Sequence, residues 1–252
     1  MHYTHVLDDD TAAKRPSWVE VHPQNYFGDG GPAHRWLTAI AGVYPLSFHS
    51  VGLSLGSADG LNRDDLENIA ALCDRYQPAM VSDHLSWSGN AHDRYPDLLP
   101  IPYTQEALHH FAGEIGKVQD RLQRAILIEN PSRYLSYRDD EMGETDFIHA
   151  LCRTSGCGLL FDINNVEVSA TNVGLDMQDY IDAIDPGIVG EIHLAGHHRL
   201  PSEGPRAFSR RPVRAGCGTR VAWPEGACEQ HLARPSGVAG GQFSATARPY
   251  GP

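Results

Sequence analysis

A chain of 252 residues has room for one α/β barrel or two small domains, and at 41% hydrophobic and 21% charged it can bury a core. A formal net charge of −12 argues against a protein that wraps nucleic acid or coats an anionic membrane. No apolar run approaches the ~18–20 residues of a membrane span, and the first ten residues lack a signal peptide's basic and apolar regions, so a cytoplasmic protein is expected.

Six short apolar runs follow one another, at 18–22, 45–49, 78–84, 125–130, 158–162 and 188–193. Buried parallel strands read as continuous apolar runs of this length. Between them the periodicity turns helical. Residues 64–76 place Leu66, Ile69, Ala70 and Cys73 on one face behind an acidic first turn; 104–122 opens on Thr104 with Glu106; 176–184 groups Met177, Tyr180, Ile181 and Ile184. The Gly-rich stretch at 25–32 reads as a tight loop after the first strand. Strand and helix alternating in this way predict βα units. Neither GxGxxG after the first strand nor GxxxxGK[ST] occurs, which lowers nucleotide-binding sheets and favours a TIM-type (β/α)8 barrel with about six recognisable units.

The composition breaks at residue 200. Residues 1–200 hold 13 Lys and Arg against 29 Asp and Glu, for −16, whereas 201–252 hold seven Arg against three Glu, for +4. That tail has seven Pro, eight Gly, eight Ala, one Leu and no Ile, too little apolar surface to offset the entropy of ordering it. The expected organisation is an incomplete barrel over 1–200 and an irregular low-complexity tail over 201–252. The five cysteines form no CxxC pair and read as reduced packing residues.

Each strand run is apolar until its last residues, which then carry chemistry: His22, His49, Asp83 with His84, Glu129 with Asn130, Asp162 with Asn164 and Asn165, and Glu191 with His193. A single His at a strand end is usually structural, but barrel enzymes build their sites at these ends, and several such groups can converge there. Imidazole and carboxylate without thiolate suit a catalytic zinc, iron or manganese, and Glu129 could bridge two ions. His109 and His110 fall within a helix and read as a solvated face. Trp87 lines a pocket or covers the barrel top.

The segments at 20–32, 45–57, 81–89, 97–104, 128–135, 161–176 and 190–197 resemble the DUF692 (UPF0276) family of multinuclear non-haem iron-dependent oxidative enzymes, over about residues 16–198. The resemblance implies a TIM-type barrel with two or three iron ions at its mouth. It also implies oxidation of cysteine-containing residues in a ribosomally made precursor peptide, delivered by a DUF2063-like partner protein. Carried over, His49, His84, Glu129, Asp162, Asn165 and His193 look like iron ligands. Glu20, His22, Asn25, Asp83, Glu191 and His197 look like groups that orient the ligands or face substrate. This chain has Asn172-Val173-Gly174 where many relatives have Asn-His-Gly, and after Leu200 it lacks the family's last two βα units. A frame shift in a GC-rich gene would produce such a tail, since Arg outnumbers Lys 18 to 2. The expectation is a truncated or frame-shifted member with exposed sheet edges and a partial metal site. Two other readings stay open: an endonuclease-IV-like zinc phosphodiesterase, which the acidic body disfavours, and a non-enzymatic metal-binding remnant.

Overall fold

The computed structural model describes Leu7 and residues 16–90 and 92–195; His197 and the 201–252 tail lie outside the described residues. In chain order the strands are β1 (Val19–Val21), β2 (Leu46–His49), β3 (Met80–His84), β4 (Trp87–Gly89), β5 (Arg94–Leu99), β6 (Leu127–Glu129), β7 (Gly158–Asp162) and β8 (Val189–His193). Six of them form one sheet in the order β1-β2-β3-β6-β7-β8, each strand parallel to its neighbour. Every predicted run is one strand of this sheet. The remaining two, β4 and β5, form an antiparallel hairpin inserted after β3.

Parallel neighbours need a crossover, and helices supply it: α1 (Pro32–Ala41), α2 (Arg63–Tyr76), α3 (Gln105–Leu122), α4 (Glu144–Ser155), α5 (Ile163–Val173) and α6 (Met177–Ala183). The caps explain where several of these start. Asn62 accepts from the Asp65 amide, Thr104 from the Ala107 amide and Asp176 from the Asp179 amide, each satisfying an otherwise orphaned N–H of a first turn. The predicted helices at 64–76, 104–122 and 176–184 agree with α2, α3 and α6 to within a residue or cap.

The two faces of the sheet differ. Phe48, Val81, Ile128, Leu159 and Phe161 point outward and join Ile69, Phe111, Ile115, Phe147 and Leu151 of the helices in one core. Alternation turns the intervening residues inward, and these are largely polar. The sheet is strongly curled. Five strand spacings of ~4.8 Å would hold β1 and β8 about 24 Å apart in a flat sheet, yet Glu20 of β1 and His193 of β8 approach to 3.1 Å. Ser47 of β2 likewise donates to Glu191 of β8 at 3.2 Å. The described strands therefore form an arc of a (β/α)8 barrel, its edges at β1 and β8. On the outward side of β8, Ile192 is 36% and Leu194 beyond it 68% exposed.

Below the polar interior, Leu127 fills space left by two glycines. A Cβ on Gly158 would lie 2.7 Å from Leu127 Cδ2 and 3.2 Å from the Ile188 carbonyl, and one on Gly190 also 2.7 Å from Leu127 Cδ2. Gly158→Ala is expected to lower stability by about 1–3 kcal/mol through overpacking. Urea unfolding measures it, and an unchanged midpoint would show that this layer has slack.

Candidate metal centre

The inward side chains at the carboxyl ends of five strands converge. Register pairs His49 with Ser82, His84 with Glu129, and Asp162 with His193, so each pair shares the interior face. Glu129 lies at the centre. His49 Nε2 is 2.9 Å and His84 Nε2 is 3.0 Å from its Oε2. That oxygen is buried and has no hydrogen-bond partner among the described residues, so neither contact has hydrogen-bond alignment despite its length. Its Oε1 accepts from the Asn165 amide at 2.8 Å.

The far side of each ring fixes what the near side presents. His84 Nδ1 lies 3.1 Å from the Ser50 carbonyl, which can only accept, so Nδ1 carries a proton and the ring, when neutral, turns a lone pair toward Glu129. His49 Nδ1 is 2.8 Å from Ser82 Oγ, a hydroxyl that can donate or accept; where it accepts, His49 Nε2 takes the same posture. Two lone pairs aimed at a carboxylate oxygen repel unless a proton or a cation stands between them. Ligand atoms each ~2.1 Å from one ion and at a right angle lie about 3 Å apart, matching the observed spacing. The donor set and the orphaned Oε2 both fit a non-haem metal ion.

His193 faces two groups of carboxylates. Its Nδ1 is 3.7 Å from Asp162 Oδ2 and 3.9 Å from Glu129 Oε1, while its Nε2 is 3.1 Å from Glu20 Oε2 and 4.0 Å from Glu191 Oε1. Among the described residues, two sets of ligand atoms lie within 4.8 Å of one another, His49–Glu129–His193 and Glu20–Glu191–His193.

Charge in the metal-free pocket follows from these contacts. Burial opposes a charged His84, but Asp83 and Glu129 outweigh it and push the imidazole up to about 10. Burial likewise opposes charge on His193, which Asp162 and Glu20 raise to about 10. Glu129 is pushed up by burial and pulled further down by His49 and His84, to well below the carboxylate range. His84 therefore binds its proton more tightly folded than unfolded, from an ordinary value of 6.5. Its contribution to stability is complete below pH 6.5 and lost as pH rises through about 10. The metal-stripped chain should melt at falling temperature across that window, while a metal-loaded chain, its ring nitrogens ligated, should not. Calorimetry with and without chelator measures this, and a flat metal-free profile would count against a protonated His84.

The other predicted residues take more distant places. His22 lies 2.9 Å through Nδ1 from the His49 carbonyl, steadying the end of β2. Asn25 is exposed on a 3-10 turn at Pro23–Tyr26. Asp83 accepts from the Leu53 and His84 amides, holding the loop after β2 against β3. Asn165 presents its NH2 to Glu129 and the Asn130 carbonyl, while its oxygen accepts from Ser132, an arrangement that orients Glu129. Asn165→Ala should weaken metal affinity by roughly 10–100-fold, as loss of an orienting partner does. A metal titration checks this, and unchanged affinity would show that Glu129 needs no such support. His109 and His110 bond to the Gln105 and Ser57 carbonyls, and Trp87 donates to the Pro100 carbonyl while packing edge-on against Tyr95. Sequence reasoning missed Ser50 and Ser82, which hold the two imidazoles from behind. Their one signal was a Ser at the end of, or within, an otherwise apolar run.

The family model described as "RiPP precursor modification enzyme MbnB/TglH/ChrH" matches residues 1–207. Among curated relatives, a UPF0276 protein of Psychromonas ingrahamii is 47% identical over 195 residues, 77% of this chain and 68% of that protein. UPF0276 proteins of Rhizobium meliloti and Paraburkholderia phytofirmans are 48% and 44% identical over 196 residues, 78% of this chain and 63% of each relative. The chain thus spans a little under two thirds of the length of those two relatives. Among solved structures, a D-psicose 3-epimerase aligns with TM-score 0.45 at 12% identity, over 73% of this chain and 67% of that one. A 3-keto-D-glucoside 4-epimerase from E. coli aligns with TM-score 0.44 at 12% identity, over 71% and 69%.

Proposed function

The chain belongs to the RiPP precursor modification enzyme family MbnB/TglH/ChrH, and from that membership we propose that it is an iron-dependent oxidative enzyme acting in the cytoplasm on cysteine-containing residues of a ribosomally made precursor peptide. The observation that carries the metal assignment is the pair of imidazole Nε2 atoms facing the unpartnered Glu129 Oε2 at 2.9 and 3.0 Å. His49, His84 and Glu129 would hold one iron. Asp162 and His193, beside the other Glu129 oxygen, would hold a second. Bound iron would supply one-electron chemistry with O2 and an open position for a substrate thiolate.

The chain's own residues do the rest. The Ser50 carbonyl and Ser82 hydroxyl hold the two rings so that Nε2 faces inward. Asn165 fixes the plane of Glu129, and Ser132 fixes Asn165. The buried strand ends exclude water from that side, so a peptide approaches from the mouth, beside the β4–β5 hairpin. A DUF2063-like partner would deliver it.

The test incubates iron-loaded full chain, in air, with the precursor peptide encoded beside its gene and with the neighbouring partner protein. The expected result is a change in peptide mass that needs iron and O2 and disappears when the peptide's cysteines become serines. An unchanged peptide with fully loaded protein would overturn the reading, as would zinc-dependent cleavage of abasic DNA.

A further inference from the structure

We propose that the chain holds a further divalent cation between Glu20, Glu191 and the Nε2 edge of His193, in a pocket separate from that of His49, His84 and Glu129. Three observations carry it. One oxygen from each carboxylate and the His193 nitrogen lie within 4.8 Å of one another. Glu191 is only 5% exposed, and its Oε1 has no hydrogen-bond partner among the described residues while standing 4.0 Å from His193 Nε2. Its other oxygen is already satisfied by Ser47 at 3.2 Å, so rotating the carboxylate would only exchange one orphan for another.

An unpaired buried carboxylate oxygen beside a second carboxylate is costly; a protonated His193 offsets one of the two charges but leaves Glu191 Oε1, 4.0 Å away, without a hydrogen bond, and a proton shared between Glu20 and Glu191 or a cation between them would satisfy it. The imidazole points to the cation. A shared proton needs only the two carboxylates, whereas here a nitrogen from the opposite edge of the arc is brought to 3.1 Å from Glu20 to complete a three-sided cradle. A dication would neutralise the two carboxylates. One nitrogen with two carboxylate oxygens suits Mn2+, Fe2+ or Zn2+ rather than Mg2+ or Ca2+. The side chains of Glu20 and His193 are 25% and 22% exposed, which gives an ion a route in, and Glu191, 1% exposed, forms the floor. With both pockets filled, His193 would turn Nδ1 toward one and Nε2 toward the other.

The experiment counts Mn2+ ions on the full chain by dialysis and elemental analysis, with Mn2+ electron paramagnetic resonance as a second readout. Glu191→Gln and Glu20→Gln should each bind one ion fewer than the parent. Glu129→Gln should keep the Glu191-dependent ion, and the Glu129→Gln/Glu191→Gln double variant should lose it. Glu20 is partly exposed, so its variant serves if the Glu191 variant does not fold, which near-ultraviolet circular dichroism would reveal. Equal ion counts in the parent and the folded Glu20 or Glu191 variant would overturn the proposal and leave a proton-sharing pair. The counts do not depend on peptide turnover, so failure of the peptide-modification reading leaves this test intact.

Discussion

Glu129→Gln is expected to strip the chain of its most tightly held metal ion and to abolish metal-dependent activity. The substitution keeps the shape of the side chain and an acceptor for Asn165. It removes the charge toward which His49 and His84 both turn. Losing an orienting neighbour costs about 10–100-fold in metal affinity, so loss of a shared charged ligand should exceed roughly 100-fold. In the metal-free state the effect on folding runs through His84. With a neutral amide opposite it, His84 loses a partner that favours its protonated form. The variant should therefore lose stability at low pH more than at high pH. A metal titration with melting curves at two pH values measures both effects. Retention of parental affinity by a folded Glu129→Gln would remove Glu129 from the centre.

Glu144→Ala is expected to have the largest effect on stability. Glu144 is 5% exposed at the start of α4. It accepts from Tyr103 Oη at 2.8 Å and Tyr180 Oη at 2.5 Å, and its Oε2 lies 3.6 Å from Arg133 Nε. The Arg133 guanidinium also sits 4.8 Å above the Tyr103 ring. Burial pushes the Glu144 carboxyl up, opposed by Tyr180, Tyr103 and Arg133. Removing the carboxylate takes the acceptor from two buried hydroxyls, at about 1–3 kcal/mol for each left unpaired, and one carboxylate from Arg133, which keeps Asp140 at 3.4 Å and Ser136 at 3.2 Å. The damage should also reach the metal. Arg133 belongs to the segment between β6 and α4 that carries Ser132, and Ser132 holds Asn165 against Glu129. Glu144→Gln, which keeps an acceptor, should lose less on both counts. Urea unfolding and metal titration of the two variants measure this. A loss below about 1 kcal/mol in Glu144→Ala would show that the network contributes little.

The strands were readable because parallel strands under helices carry apolar outward residues, and Phe48, Val81, Ile128 and Phe161 supply them. Helices α2, α3 and α6 announced themselves through caps and periodicity. Helices α1, α4 and α5 and the β4–β5 hairpin did not. Asp162 ends β7 and caps α5 at once, accepting from the Asn165 amide, so no loop marks that boundary. The hairpin's exposed β5 and short, partly buried β4 lack the apolar runs that marked the sheet strands.

Residue type and spacing alone determined that His49, His84, Glu129, Asp162 and His193 would sit at successive strand ends, since period-two alternation and βα order are local properties of the chain. The curl of the sheet decided what those residues face. It brings Glu20 to His193 across 173 positions of sequence and Ser47 to Glu191 across 144. It also divides His193 between two groups of carboxylates. Tertiary structure alone made Ser50 and Ser82 the partners that hold the two imidazoles, because a hydrogen bond between adjacent strands depends on register. Likewise Asp83, next to His84 in sequence, was sent to the opposite face to hold the loop after β2.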